Sequence, residues 1–436
     1  MRPGLRRQRV AIVGSGVAGL TCAHVLGPHH DVTLFEADRR LGGHANTVTV
    51  DDPLAGELRI DTGFIVHNDR NYPNLVKLLS ELGVATTDTE MSFGVTDRDP
   101  TSRTHGLTYR ATSPNTLFAD RRNLAQPAMW RMLRDIRRFY RDANAYLDAT
   151  DDHQANDDVS LDQFVVAHSY SRDFVELHLI PMGAAVWSAT PAGFGKFPVR
   201  SLFTFLANHG LLSVRDRPQW RTIVGGSRTY VDAIASRFSG DIRLDQPVQK
   251  VIRGDGEVEI QTSEGPDRFD RVVLAVHSDQ ALDILGDPTD DERRVLGRVR
   301  YQTNRATLHT DVSMLSPQRR AWSAWNYDRR SDDQSLSTVT YDMTTLQRLP
   351  GTHRYLVSLN SEHLIDPSSV IASFDYAHPV FDSAAVAAQR RFAEIDGVDR
   401  VHYCGAWWGH GFHEDGVVSG LRVCERIGVD WAGAGR

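Results

Sequence analysis

Gly14, Gly16 and Gly19 stand at the spacing G-x-G-x-x-G, directly after the apolar run Arg9-Val10-Ala11-Ile12-Val13. The chemistry of this pattern is anion binding. Gly14 permits a tight turn, Gly16 lets backbone approach a pyrophosphate, and Gly19 lets a helix pack closely on a strand. Val17 and Ala18 lie where a helix would open with free N–H groups and the positive end of its dipole. Glu36 closes a second apolar run, Asp31-Val32-Thr33-Leu34-Phe35, at about the 20-residue interval expected of a ribose-binding acid. A carboxylate there accepts bonds from ribose hydroxyls and repels a 2′-phosphate. The constellation is a dinucleotide site, and NAD and FAD both satisfy it.

The elements that must hold these residues are a buried parallel strand over residues 9–13, a helix through residues 20–26 and a second strand over residues 31–35. The residues after Glu36 separate the two cofactors. Glu36-Ala37-Asp38-Arg39-Arg40-Leu41-Gly42-Gly43-His44 resembles the E-x-x-x-R-x-G-G-R extension of the FAD-dependent amine-oxidase and phytoene-desaturase superfamily. The resemblance implies FAD, with Ala37, Arg40, Gly42 and Gly43 near its phosphates and ribityl chain. His44 stands where the family has Arg, and a phosphate or flavin-edge contact is expected of it. Asp61-Thr62-Gly63-Phe64 resembles the next family motif, which places Thr62, Gly63 and Phe64 at the flavin. Residues 245–251 resemble the adenine-clamping strand, with Val248 as its contact.

The C-terminal segment resembles the same family. Val401-His402-Tyr403-Cys404-Gly405 reads as a strand, and Gly405, Gly416 and Gly420 match the family glycines. A helix N-terminus near Val417 is expected to face the flavin. Ala406 replaces the family acid that binds the ribityl chain, and Asp415 or Glu414 is the expected substitute. The implied fold is α/β: a two-dinucleotide-binding, glutathione-reductase-like Rossmann domain for FAD, with an α+β substrate domain like that of monoamine oxidases. The order of motifs makes the FAD domain discontinuous, over residues 9–70, 214–280 and 395–434. Residues 71–213 and 281–394 form the substrate domain.

Two histidines are candidate catalytic residues. His378, in Phe374-Asp375-Tyr376-Ala377-His378-Pro379-Val380-Phe381, falls near an aromatic-cage position of the family, and His413 falls near the second. A proton-handling or substrate-orienting role and a purely structural one both remain open for them. No cysteine lies near His378, which implies dissociable, non-covalent FAD. The strand over residues 300–310 offers Asn304 or Arg305 where amine oxidases carry a lysine, which speaks against the usual attack by oxygen.

The whole chain also resembles bacterial predicted NAD/FAD-binding oxidoreductases that accompany cyclopropane-type fatty-acid modification. Residues 181–188, 208–213 and 411–416 carry that likeness, which implies a lipid acyl substrate and a lipid-modifying methyltransferase as a candidate partner. The expected reaction is hydride transfer between flavin N5 and a C–H bond or double bond of an apolar substrate. Its rivals are a redox-neutral double-bond isomerase, an amine oxidase and a non-catalytic flavoprotein partner.

Composition sets outer bounds. The 436 residues carry a net charge of −7, which argues against a nucleic-acid binder. Three cysteines, Cys22, Cys404 and Cys424, have no metal-site spacing and suit a cytoplasmic protein. The basic start before Val10 is read as neither a signal peptide nor a twin-arginine signal, because the apolar run carries the glycine fingerprint. Residues 121–141 read as a helix with Met129, Leu133, Ile136 and Tyr140 on one face and arginines beside them. A solvated basic face and a membrane-surface contact are its two readings. The acidic residues 148–160 read as a solvated loop, and residues 71–82 as a helix stopped by Gly83.

Overall fold

The computed structural model describes residues 6–149, 159–187, 190–213, 217–330 and 338–432. Most of the acidic loop lies outside the described residues. The fingerprint run forms strand β1 (Arg9–Val13), then helix α1 (Val17–Leu26) and strand β2 (Asp31–Phe35). These are built into a five-stranded parallel sheet in the order Asp241–Arg243, β2, β1, Arg271–Leu274, Val401–Tyr403. Val10, Ala11 and Ile12 are fully buried, as strands covered on both faces require. The chain leaves β1 toward β2 on one side and toward Arg271–Leu274 on the other. That reversal opens a crevice at the carboxyl ends of the strands, where ligands of such sheets bind.

Helix α1 is apolar almost all round because it is enclosed. One side packs on the sheet and the other on the C-terminal helix His413–Ile427. Contact is close enough that a Cβ on Gly420 would meet the Ala18 carbonyl oxygen at 2.8 Å, and one on Gly416 would meet the Val17 side chain at 2.5 Å.

A second, seven-stranded mixed sheet runs Val370–Val380, Arg300–His309, Leu356–Leu359, Val339–Asp342, Trp325–Arg329, Phe93–Asp97, Thr108–Arg110. Its inner face carries a separate core of Tyr109, Ala306, Leu308, Tyr355 and Val357, and a third core joins helices Pro127–Ala149 and Val199–Asn208. The two long strands, Arg300–His309 and Val370–Val380, pair antiparallel over their whole length. Helix Pro73–Leu82, grouped by sequence with the substrate part, buries Leu75, Leu78, Leu79 and Leu82 in the core of the parallel sheet instead. Helix Ser383–Gln389 does the same through Ala385 and Ala388. Their leucine and alanine faces match the apolar layer beside α1, and chain order alone does not reveal that.

The basic segment is two elements. A short 3-10 turn, Arg121–Ala125, ends before Pro127, which opens helix Pro127–Ala149. Proline suits a first helical position, where its missing N–H costs nothing. Met129, Met132 and Phe139 are buried, while Trp130, Arg134, Arg137 and Arg141 lie exposed. Arg131 pairs with Asp173, Arg134 and Arg138 with buried Asp135, and Arg141 with Asp142. Among the described residues, no helix is long and apolar enough to cross a membrane.

Candidate active site

A cavity of about 800 Å³ runs from the carboxyl ends of the parallel strands to the seven-stranded sheet. Its first part is built by the fingerprint. Gly14 turns the chain with φ +100°, and its amide donates to the Phe35 carbonyl at 2.8 Å. Helix α1 then opens after its N-cap Gly16, with no side-chain cap and no acid in its first turn, so its leading N–H groups are left for a ligand. A Cβ added at Gly16 would meet nothing within 4 Å, whereas one at Gly19 would strike the Gly14 carbonyl oxygen at 2.0 Å. Gly16 thus borders open space, and Gly19 serves helix–strand packing.

Glu36 lines the cavity and anchors the turn, accepting from the Ser15 and Asp38 amides at 2.9 Å each. Ala37, Arg40, Gly42, Gly43 and His44 continue the wall. The Arg40 guanidinium donates to the Gly43 carbonyl at 2.9 Å, which holds the glycine loop against Gly16. Gln246, Pro247 and Val248 close this end. Gln246 is 4% exposed and its Oε1 has no hydrogen-bond partner among the described residues. A buried acceptor in that state favours a donor from a ligand. The open space at Gly16, the uncapped helix and this acceptor together fit a dinucleotide with a pyrophosphate at α1 and an adenosine beside Val248.

At the middle of the cavity four histidines gather. His44 packs against Tyr376 with centroids 4.9 Å apart and against His378 at 5.4 Å. His277 lies 6.2 Å from His44 and stacks on Tyr301 at 4.3 Å. His413 stacks on Phe64 at 3.5 Å, and its Nε2 lies 3.1 Å from the Tyr230 hydroxyl. Burial is the first cause that holds all four neutral. It lowers His378 to about 4 and His413 to about 3, and neighbouring His277 and His67 add to the effect respectively. His44 is pushed well below its ordinary value by burial and then by His378, and His277 is lowered by burial. Thr62 and Asn46 bond to the Tyr376 hydroxyl at 2.8 and 2.9 Å, tying the Thr62-Gly63-Phe64 segment to strand Val370–Val380.

The far part of the cavity is apolar and aromatic. Ile65, Val66, Met91, Phe93, Met182, Trp187, Phe205 and Phe412 line it. His209 and His410 are there too, both lowered to about 4 by burial. The His209 Nδ1 sits 2.9 Å from the Phe205 carbonyl and so carries the proton.

The family model for flavin-containing amine oxidoreductases matches residues 17–358. The chain belongs to this family. It is accordingly an FAD-dependent oxidoreductase. An L-amino-acid oxidase of Pseudechis australis is 53% identical over 49 residues, which is 10% of this chain and 10% of that enzyme. Solved relatives share the fold nearly end to end. Putrescine oxidase bound to putrescine superposes with TM-score 0.68 at 17% identity, covering 97% of this chain and 99% of that one. Cyclohexylamine oxidase from Brevibacterium oxydans gives 0.67 at 18%, covering 97% and 99%. A conjugated-linoleic-acid-producing fatty acid isomerase from P. acnes gives 0.68 at 15%, covering 97% and 99%.

Within this flavoenzyme some sequence-proposed residues stand apart from the cavity. Gly19, Gly416, Val417 and Gly420 are absent from its wall, and the three glycines instead let α1 pack closely on β1 and on the C-terminal helix. The C-terminal helix starts at His413, a turn before Val417, so Phe412 and His413 bring its N-terminus to the cavity. Asp415 turns away from the wall. Its carboxylate accepts from the His410 and Phe412 amides at 3.0 and 2.8 Å and thereby shapes the loop, and burial raises it to about 6. Glu414 caps helix Pro73–Leu82 by accepting from the Asn74 and Leu75 amides. Neither acid therefore replaces the ribityl ligand, although Gly405 and Ala406 do line the cavity. Of the two lysine substitutes, Arg305 is absent from the wall and pairs with Asp375, and buried Asn304 bonds to His378. Cys22, Cys404 and Cys424 are buried away from the cavity wall.

Sequence reasoning missed Gln246, His277 and Tyr376. A signal existed for His277, which follows the carboxyl end of a parallel strand, the usual ligand edge. None existed for Tyr376, which depends on the pairing of two strands distant in sequence.

Proposed function

We propose that this enzyme moves a hydride between its flavin and a C–H bond or double bond of an apolar, fatty-acyl substrate. The observation that carries this reading is the far half of the cavity. Its wall of methionine, phenylalanine, tryptophan and aliphatic side chains leads directly to the neutral histidines. Bound FAD supplies the two-electron acceptor or donor. The chain's own residues exclude water, press an apolar chain into one orientation and offer imidazole hydrogen bonds without adding charge.

A polyamine would need carboxylates along its path, and an α-amino acid would need a cation for its carboxylate. Among the described wall residues the charged side chains are Glu36 and Arg40 at the dinucleotide end and Asp375, which is paired with Arg305. A redox-neutral double-bond isomerase is the second reading. It is favoured by the absence of lysine from the described wall and by the shared fold of the P. acnes fatty acid isomerase.

The test is anaerobic mixing of the FAD-loaded enzyme with fractionated acyl lipids, simple amines and amino acids. Bleaching of the flavin by a lipid fraction supports oxidation, and double-bond migration without any acceptor supports isomerisation. Bleaching by amines alone would sink the acyl reading in favour of an amine oxidase. No response to any fraction, with stable co-purification of a lipid-modifying methyltransferase, would favour a non-catalytic partner.

A further inference from the structure

His378 is fixed in one tautomer by a chain of hydrogen bonds that begins at the backbone. The Arg305 amide can only donate, and it donates to Asn360 Oδ1 at 2.9 Å. Asn360 must therefore present its Nδ2 as donor, and it does so to Asn304 Oδ1 at 2.8 Å. Gln302 Nε2 donates to the same oxygen at 3.0 Å. Asn304 in turn must present its own Nδ2, which lies 3.0 Å from His378 Nδ1. That nitrogen is consequently an acceptor, and the proton of the neutral ring sits on Nε2. The contact arises from register: Asn304 faces Tyr376 and Gln302 faces His378 across the paired strands, so Asn304 and His378 are diagonal neighbours on one face. Asn304 is wholly buried and Asn360 is 9% exposed, so water competes little for these bonds.

We propose that Asn304 is a positioning residue that holds His378 as the Nε2–H tautomer, so that His378 serves the reaction as a hydrogen-bond donor and not as a base. This rests on the reading of the cavity as the reaction site. Taking up a proton at Nε2 would first require moving the ring proton to Nδ1, which would set it against the Asn304 amide hydrogens. The titratable groups facing the ring are His44, with centroids 5.4 Å apart, and His277, both kept neutral by burial. Asp375 on the same strand is occupied by Arg305, and Tyr376 by Thr62 and Asn46. The Tyr376 backbone carbonyl also faces the ring and accepts from its N–H, and no carboxylate on these neighbours stands ready to draw the proton to Nδ1.

Asn304→Asp tests this with little change in shape. The new carboxylate still accepts from Asn360 and Gln302 on one oxygen and offers the other to Nδ1–H. In ¹⁵N-histidine spectra of the FAD-loaded wild type, His378 is expected to show a protonated Nε2 and a bare Nδ1 from pH 6 to 9. In Asn304→Asp the proton is expected at Nδ1, with double protonation reaching into the neutral range. The kcat for the reactive lipid is expected to fall roughly 10²-fold, the usual cost of losing one preorganised hydrogen-bond donor, with KM nearly unchanged. A wild type protonated at Nδ1, or a variant with an unmoved tautomer, overturns the proposal. A moved tautomer with unchanged kcat overturns its functional half. The spectra need no substrate, so a failed lipid screen would defeat the acyl reading and leave the tautomer to be decided on its own.

Discussion

Gly16 and Gly19 belong to one fingerprint but answer to different neighbours, and alanine at each should separate them. At Gly16 an added Cβ meets no atom within 4 Å and φ is −64°, which alanine accepts. Alanine is a poorer N-cap than glycine by about 0.5–1 kcal/mol. It regains about 0.4–1 kcal/mol by restricting the unfolded chain. The two effects nearly cancel, so the apoprotein of Gly16→Ala should keep its denaturant midpoint. The same methyl intrudes on the space assigned to the pyrophosphate. Overpacking of that kind costs about 1–3 kcal/mol, or roughly a 5- to 150-fold rise in the Kd for FAD. Gly19→Ala places its Cβ 2.0 Å from the Gly14 carbonyl oxygen, so helix α1 must move away from β1. Apoprotein stability should fall by about 3 kcal/mol or more, and FAD binding with it. Fluorescence titration of FAD into each apoprotein, beside chemical denaturation, measures both quantities. Gly16→Ala binding FAD with wild-type affinity would refute the assignment of that space. Equal loss of apoprotein stability in both variants would refute the division between ligand space and packing.

Three further outcomes are expected. Acid precipitation should release the flavin into the supernatant, because no cysteine lines the cavity; flavin retained on the precipitated chain would show a covalent bond. Stability should fall as pH drops from 6.5 toward 4. His67, His178, His209, His378 and His410 are each lowered to about 4 by burial, so their contribution is present above 6.5 and lost as pH falls through 4. Asp61 and Asp415, raised to about 6 by burial, act in the opposite sense, losing their contribution as pH rises through 6, but they are fewer. Denaturant midpoints flat or rising from pH 6.5 to 5 would contradict this. Tyr230→Phe removes the hydroxyl partner of buried His413 and should cost about 1–3 kcal/mol of stability. An unchanged midpoint would show that the bond contributes nothing.

The dinucleotide half of the site was legible in the chain because its determinants are local. Gly14, Gly16, Glu36, Arg40, Gly42 and Gly43 lie within one strand–helix–strand unit and the loop that directly follows it, where backbone turns and helix ends dictate residue type at short range, and all of them line the cavity. The distant Gly416 and Gly420 were legible as a motif, but not as packing surfaces for α1, because that role appears only when two helices far apart in sequence meet. The substrate half obeyed no such local rule. Leu75 and Ala385 joined the core of the parallel sheet because burial rewards any apolar face that fits. His378 could be named from sequence, yet its protonation depends on Asn304, Asn360 and the Arg305 amide, which only the pairing of Arg300–His309 with its two neighbours brings into line. Sequence alone thus determined the cofactor's cradle, through backbone geometry at short range. The tertiary structure decided what faces the cofactor, because side-chain chemistry there is set by long-range strand register and by burial.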